Sequence, residues 1–169
     1  MSSIFTKIIN GEIPCYKIAE DENHIAFLDA MPLVKGHTLV VPKKEVDLIF
    51  DLESEEFKNL WGFAQKVAQK VGDAIPCIRV GIAVVGIEVP HAHIHLVPLN
   101  SMQDLNFGNE RLKLTPEEYK EVQDKIEDFI NKRFEGDKKI VIERTSDISK
   151  LVLLMEEYLN EAISSNGSG

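Results

Sequence analysis

Cysteine is scarce and unpaired in this chain: Cys15 and Cys77 lie far apart, and neither belongs to a C-x-x-C pair. That argues against a disulfide framework and a cysteine-rich zinc site, and it makes reduced, cytoplasmic thiols the expectation. Positive charge is short as well. Lysine and arginine number 19 against 28 aspartates and glutamates, a net charge of −9, so the basic surface needed for non-specific binding to nucleic acid or an anionic membrane is missing. Neither partner is expected, although this leaves a single nucleotide open as a ligand. No apolar run approaches the ~18 residues of a spanning helix, and no basic segment followed by a long apolar stretch opens the chain. A soluble, cytoplasmic protein is expected, with no internal repeat.

What is present fits one main domain. The 169 residues, 44% of them hydrophobic, lie within the roughly 100–200 residues of a single domain. A short helix is expected over residues 2–9, broken at Asn10-Gly11. Strands are expected over 15–20 and 24–29, joined by the turn-prone Asp21-Glu22-Asn23, and a third over 37–42, ending at Pro42. From about Asp51 to Val71 the apolar residues follow the 3, 4 spacing of an amphipathic helix that stops near Gly72. An apolar strand over 77–85 then precedes a histidine-rich one, as antiparallel neighbours. Residues 99–109 are polar and irregular. Thr115-Pro116-Glu117-Glu118 reads as a helix start, with Thr115 as N-cap and Glu118 completing a capping box.

The richest stretch is Pro90-His91-Ala92-His93-Ile94-His95-Leu96-Val97-Pro98, which holds three of the five histidines at alternate positions. In a strand, His91, His93 and His95 share one face while Ala92, Ile94 and Leu96 share the other. Three imidazoles spaced by roughly 7 Å can bind metal, although zinc prefers a tetrahedral set and no cysteine or acid lies nearby. They can form a structural cluster, at the cost of crowding titratable rings. They can also act at phosphorus: one neutral imidazole attacks while its neighbours donate hydrogen bonds to the oxygens.

His91-Ala92-His93-Ile94-His95-Leu96-Val97 resembles the His-φ-His-φ-His-φ-φ motif (φ apolar) of the histidine-triad nucleotide hydrolases and transferases, and the similarity extends over roughly residues 3–107. The resemblance implies an α+β fold with an antiparallel sheet of about five strands and two main helices, usually paired into a homodimer. It implies His93 as nucleophile, His91 as the residue whose carbonyl orients it, and His95 as the group on the phosphate or leaving group. His37 matches a fourth active-site histidine. Asp29 matches the acid that holds the ribose hydroxyls, and Phe5, Ile8, Phe27 and Leu39 match the apolar walls around a purine base. His24 matches no site position and reads as a surface turn residue. Glu88 stands where relatives carry a neutral hydroxyl donor to the phosphate. Ser3 and Thr6 replace the cysteines of zinc-binding relatives, so neither that zinc nor any cofactor is expected.

The domain reading is residues 1–136 as the histidine-triad domain, 137–163 as a C-terminal strand-helix extension, and 164–169 as a serine-glycine tail. The activity implied is release of a purine nucleoside 5′-monophosphate from a phosphoramidate or related derivative, through a covalent nucleotidyl-histidine. The alternatives are a dinucleoside polyphosphate hydrolase, a nucleotidyltransferase, or a nucleotide-binding module with little turnover.

Overall fold

The computed structural model describes residues 2–136. The expected C-terminal strand-helix extension over 137–163 and the tail over 164–169 lie outside them. The chain divides into two compact units, Met1–Ile130 and Asn131–Gly169, and the fold below is that of the first.

Ser3 caps a short helix, α1 (Ile4–Ile9): its Oγ accepts from the Thr6 N–H, and Asn10 and then Gly11, at φ +76°, end the turn. The strands β1 (Lys17–Glu20), β2 (His24–Leu28) and β3 (Thr38–Pro42) follow, then α2 (Ser54–Ala74), β4 (Arg79–Ala83), β5 (Ile94–Leu99) and α3 (Pro116–Gly136). All pairings are antiparallel, in the order β1-β2-β3-β5-β4. This is the expected α+β architecture of five strands and two main helices. The capping box at Thr115 and Glu118 is present, with reciprocal bonds of 2.8 and 3.2 Å. Among the described residues β1 and β4 are the outer strands of the sheet.

Strand alternation separates two cores. Ala26, Leu28, Val40, Ile94 and Leu96 face the helices, packing against Leu60, Ala64, Val67 and Val71 of α2 and Tyr119, Val122 and Ile126 of α3. Each fully buried leucine or isoleucine there contributes on the order of 1.5–3 kcal/mol. On the opposite face Ile25, Phe27, Leu39 and Val41 form a second cluster closed by Phe5 of α1. Register then places Phe27 beside Leu39 and Leu39 beside His95, so the histidine face and this second cluster are one surface.

Three local expectations are corrected. α2 continues through Gly72 to Ala74, because one glycine costs only about 1 kcal/mol against the packing of Val67 and Val71. The histidine strand starts at Ile94, leaving His91 and His93 in the extended lead-in. Pro42 has no N–H with which to prolong the β3 ladder, and the Ala92 N–H instead donates to the Val46 carbonyl at 2.7 Å. His24 is a buried first residue of β2 and not a surface turn residue: its ring stacks on Phe63 and its Nδ1 lies 2.9 Å from the Asp21 carboxylate, which draws it inward.

Candidate active site

Four histidines line β5 and its lead-in against β3, from His91 at Pro42, the end of β3, to His95 and His37 near its start. His37, His91, His93 and His95 are all buried. Gly36, at φ +89°, turns the chain so that His37 points inward, and a Cβ on it would press on Ile75 and Pro98 at 3.1 Å.

Their hydrogen bonds assign the proton on every ring. His93 Nδ1 is 2.7 Å from the His91 carbonyl, which only accepts; Nδ1 therefore carries the proton, and Nε2 keeps its lone pair. The His91 Nε2–H donates to the Pro42 carbonyl at 2.8 Å, so its Nδ1 accepts from the Ser3 hydroxyl at 2.7 Å. Ser3 thereby ties α1 to the triad, and Glu45 accepts from the Ser3 N–H and from the Thr6 hydroxyl. The Leu33 N–H donates to His37 Nδ1 at 3.0 Å. His37 Nε2–H in turn donates to His95 Nδ1 at 2.9 Å, which leaves His95 Nε2 protonated as a donor.

Electrostatics agree with these tautomers. Burial first, then the neighbouring His95, Arg111 and His93, lowers the His37 pKa to about 3. Burial, then His93 and Arg111, lowers that of His95 to about 4. Burial also lowers His91, against the Pro42 hydrogen bond and the Glu45 charge. Neutral His37 and His95 therefore act as hydrogen-bond donors and not as cations.

Asp29 lies just after β2. Its Oδ1 accepts from the Met31 N–H at 2.9 Å, its Oδ2 is 3.4 Å from His37 Nε2, and burial raises its pKa. The Tyr119 hydroxyl holds the following turn through the Asp29 and Ala30 carbonyls, at 2.9 and 3.0 Å. Phe5 places its ring edge-on to His93, 5.0 Å between centroids, and to Phe27 at 5.6 Å. Leu39 is buried beside them, and half-buried Ile8 packs on the same cluster. Glu88 is exposed in the bend before the triad, where its charge acts on Asp29.

Phe107, Arg111, Leu33 and Tyr119 also adjoin this site, and no motif in the sequence marks them. Phe107 sets its ring edge against His95, at 4.8 Å, and Arg111 lies over Phe107 at 5.4 Å. The signal available was an aromatic and an arginine in an otherwise polar stretch after the triad.

Among the described residues, Asp29, His37 and His95 have donor atoms within 4.8 Å of one another, near enough for a metal ion. The tautomers do not suit one. His37 spends its Nδ1 lone pair on the Leu33 amide and its Nε2 proton on His95, so ligation would set an N–H against the Leu33 N–H.

An antiparallel sheet presenting alternating histidines, with the central ring aimed by the carbonyl of the first, defines the histidine-triad class of proteins. A family model, HIT domain, matches residues 10–102. The chain is 34% identical over 128 residues to the adenosine 5′-monophosphoramidase hnt1 of Schizosaccharomyces pombe, covering 75% of this chain and 96% of that one. It is 43% identical over 99 residues to an uncharacterized HIT-like protein of Methanocaldococcus jannaschii, covering 56% of this chain and 77% of that one. Among solved structures, a HIT-like protein from Bartonella henselae superimposes with a TM-score of 0.65 at 31% identity, over 76% of this chain and 96% of that one. A zinc-bound histidine triad family protein from Mycobacterium smegmatis gives 0.65 at 27% identity, over 78% and 98%. The chain belongs to the HIT family.

Proposed function

We propose that the chain is a hydrolase that releases a purine nucleoside 5′-monophosphate from a phosphoramidate or related phosphate derivative, through a covalent nucleotidyl intermediate on His93. The observation that carries this reading is the 2.7 Å bond from His93 Nδ1–H to the His91 carbonyl, which leaves the Nε2 lone pair as nucleophile. Similarity to the Schizosaccharomyces pombe adenosine 5′-monophosphoramidase supports the substrate class.

In the proposed reaction, Nε2 of His93 attacks phosphorus and the bond to the leaving group breaks. The leaving amine takes a proton from solvent; water then attacks phosphorus and gives a proton back to solvent as the Nε2–P bond breaks, which releases the monophosphate and restores the neutral imidazole. His95 Nε2–H donates to the phosphoryl oxygens as charge builds on them, and His37 holds His95 in that tautomer. Phe5, Ile8, Phe27 and Leu39 wall the base, while the Asp29 carboxylate accepts from the ribose hydroxyls. Glu88 adds negative charge at the mouth of the site, which disfavours anionic leaving groups relative to amines.

A panel of adenosine and guanosine phosphoramidates and dinucleoside polyphosphates separates the readings. Release of AMP from the phosphoramidate, faster than from the polyphosphate, is the expected outcome. Binding of AMP with no turnover of any substrate would instead assign a nucleotide-binding module.

The reading includes a homodimer. β4 is a sheet edge, with Ile82 at 43% and the nearby Ile87 at 86% exposure. An open groove of about 380 Å³ beside it is lined by Trp61, Ala68, Val80 and Ile82 together with Gln65, Gln69 and Asp73. Two copies of β4 pairing antiparallel would satisfy the edge and cover these residues. Ile82→Lys is expected to shift the particle to monomer mass by light scattering; a wild-type monomer would refute the pairing.

A further inference from the structure

The geometry points to Arg111 as a further substrate-binding residue, the fixed cation that takes the phosphate charge of the bound nucleotide; this rests on the nucleotide reading above. The segment that carries it is built onto the site. After the 3-10 turn at Met102–Leu105, the Asn106 side chain accepts from the Gly108 N–H at 2.9 Å and the Asn109 side chain donates to the Gln103 carbonyl at 2.7 Å. With these bonds in place, the Phe107 ring lies edge-on to His95 and His37, its centroid 4.8 and 6.4 Å from theirs.

Arg111 is held from three sides. Its Nη1–H donates to the Met31 carbonyl at 2.9 Å, its guanidinium lies 5.4 Å from the Phe107 ring centroid, and the next residue bonds through the Leu112 N–H to the Pro32 carbonyl at 2.9 Å. The arginine is thus fixed to the same turn that follows Asp29. Its charge acts on Asp29, His37 and His95.

The need for such a cation follows from the tautomers. His37 and His95 donate as neutral rings, Asp29 lies among them, Glu88 bears on Asp29, and the chain carries a net charge of −9. A nucleotide phosphate entering this site meets neutral donors from His37 and His95. A guanidinium has five N–H donors in a planar fork suited to phosphate oxygens, and the bond to Met31 uses one nitrogen. Phe107 and Met31 hold the fork in place, so less side-chain entropy is lost when the phosphate arrives. The competing reading is a purely structural strap, in which Arg111 merely pins the segment to the Asp29 turn.

Calorimetric titration of the full chain with AMP and with adenosine decides between them, because the two ligands differ by the phosphate alone. The wild type is expected to bind AMP more tightly than adenosine. Arg111→Gln should weaken AMP at least tenfold and leave adenosine within about twofold, while Arg111→Lys should recover part of the AMP affinity. Wild-type AMP affinity should also fall with added salt more steeply than that of Arg111→Gln. Equal losses for both ligands, or an unchanged AMP affinity, overturn the assignment while leaving the nucleotide reading standing. A wild type that binds neither ligand overturns both.

Discussion

Replacing His93 by alanine is expected to lower release of AMP from an adenosine phosphoramidate by at least about 10³-fold, since the unprotonated nitrogens of the other three rings on this face each already accept a hydrogen bond. His91 Nδ1 is occupied by the Ser3 hydroxyl and its Nε2 donates to Pro42; His37 and His95 are committed to each other. AMP binding should stay within about tenfold, because the proposed base walls and Asp29 do not depend on the His93 ring for their own contacts. The variant also frees the His91 carbonyl, at a stability cost of about 1–3 kcal/mol, so its fold must be checked by a melting curve. His95→Ala provides the contrast. It retains the nucleophile and removes one donor, and a loss of about 10²-fold in kcat is expected. Turnover of His93→Ala near the wild-type rate would remove His93 from the nucleophile's role.

Acid should destabilise the fold well before its carboxylates titrate. His37 and His95 titrate near 6.5 when solvated and at about 3 and about 4 in the folded chain. Between these limits the unfolded chain binds more protons than the native one, so stability rises with pH through the window. The contribution is complete above about pH 6.5 and is lost as pH falls toward 4 and 3, by up to about 1.4 kcal/mol per ring per pH unit. The structural reason is visible in the bonds: a proton on His37 Nδ1 would face the Leu33 N–H, and one on His95 Nδ1 would face the His37 N–H. Asp29 works in the opposite direction just above its ordinary range, because its folded pKa is raised by burial, and it blunts the loss at the acid end. Urea midpoints measured at pH 7 and pH 5 should differ by the equivalent of about 4 kcal/mol. A midpoint flat across that interval would mean that the two rings are not held neutral as described.

Local rules carried much of the fold to the page. The period-two alternation of His91 to Val97 separated a histidine face from an apolar face, and the latter packs on α2 and α3. The Thr115 capping box and the Asn10-Gly11 break marked helix ends because caps and left-handed turns depend on a few adjacent residues. The misreadings arose where a distant partner overrode the local signal. Packing carried α2 through Gly72, Pro42 and Val46 took the partners that would have extended β5, and Phe63 with Asp21 drew His24 inward.

The site divides in the same way. From the sequence alone, the motif and its wider resemblance determined the family and put forward the four histidines, Asp29 and the proposed apolar walls as candidates, because residue types and spacing are local. Only the tertiary structure decided which ring nitrogen each proton occupies, since that depends on Ser3, Leu33 and the carbonyls of Pro42 and His91, two of them reached across more than forty residues of chain. It alone brought Phe107 against His95 and Arg111 over Phe107: a loop after the last strand carries no periodicity to say where it lies, and its position is set by hydrogen bonds to the turn that follows Asp29.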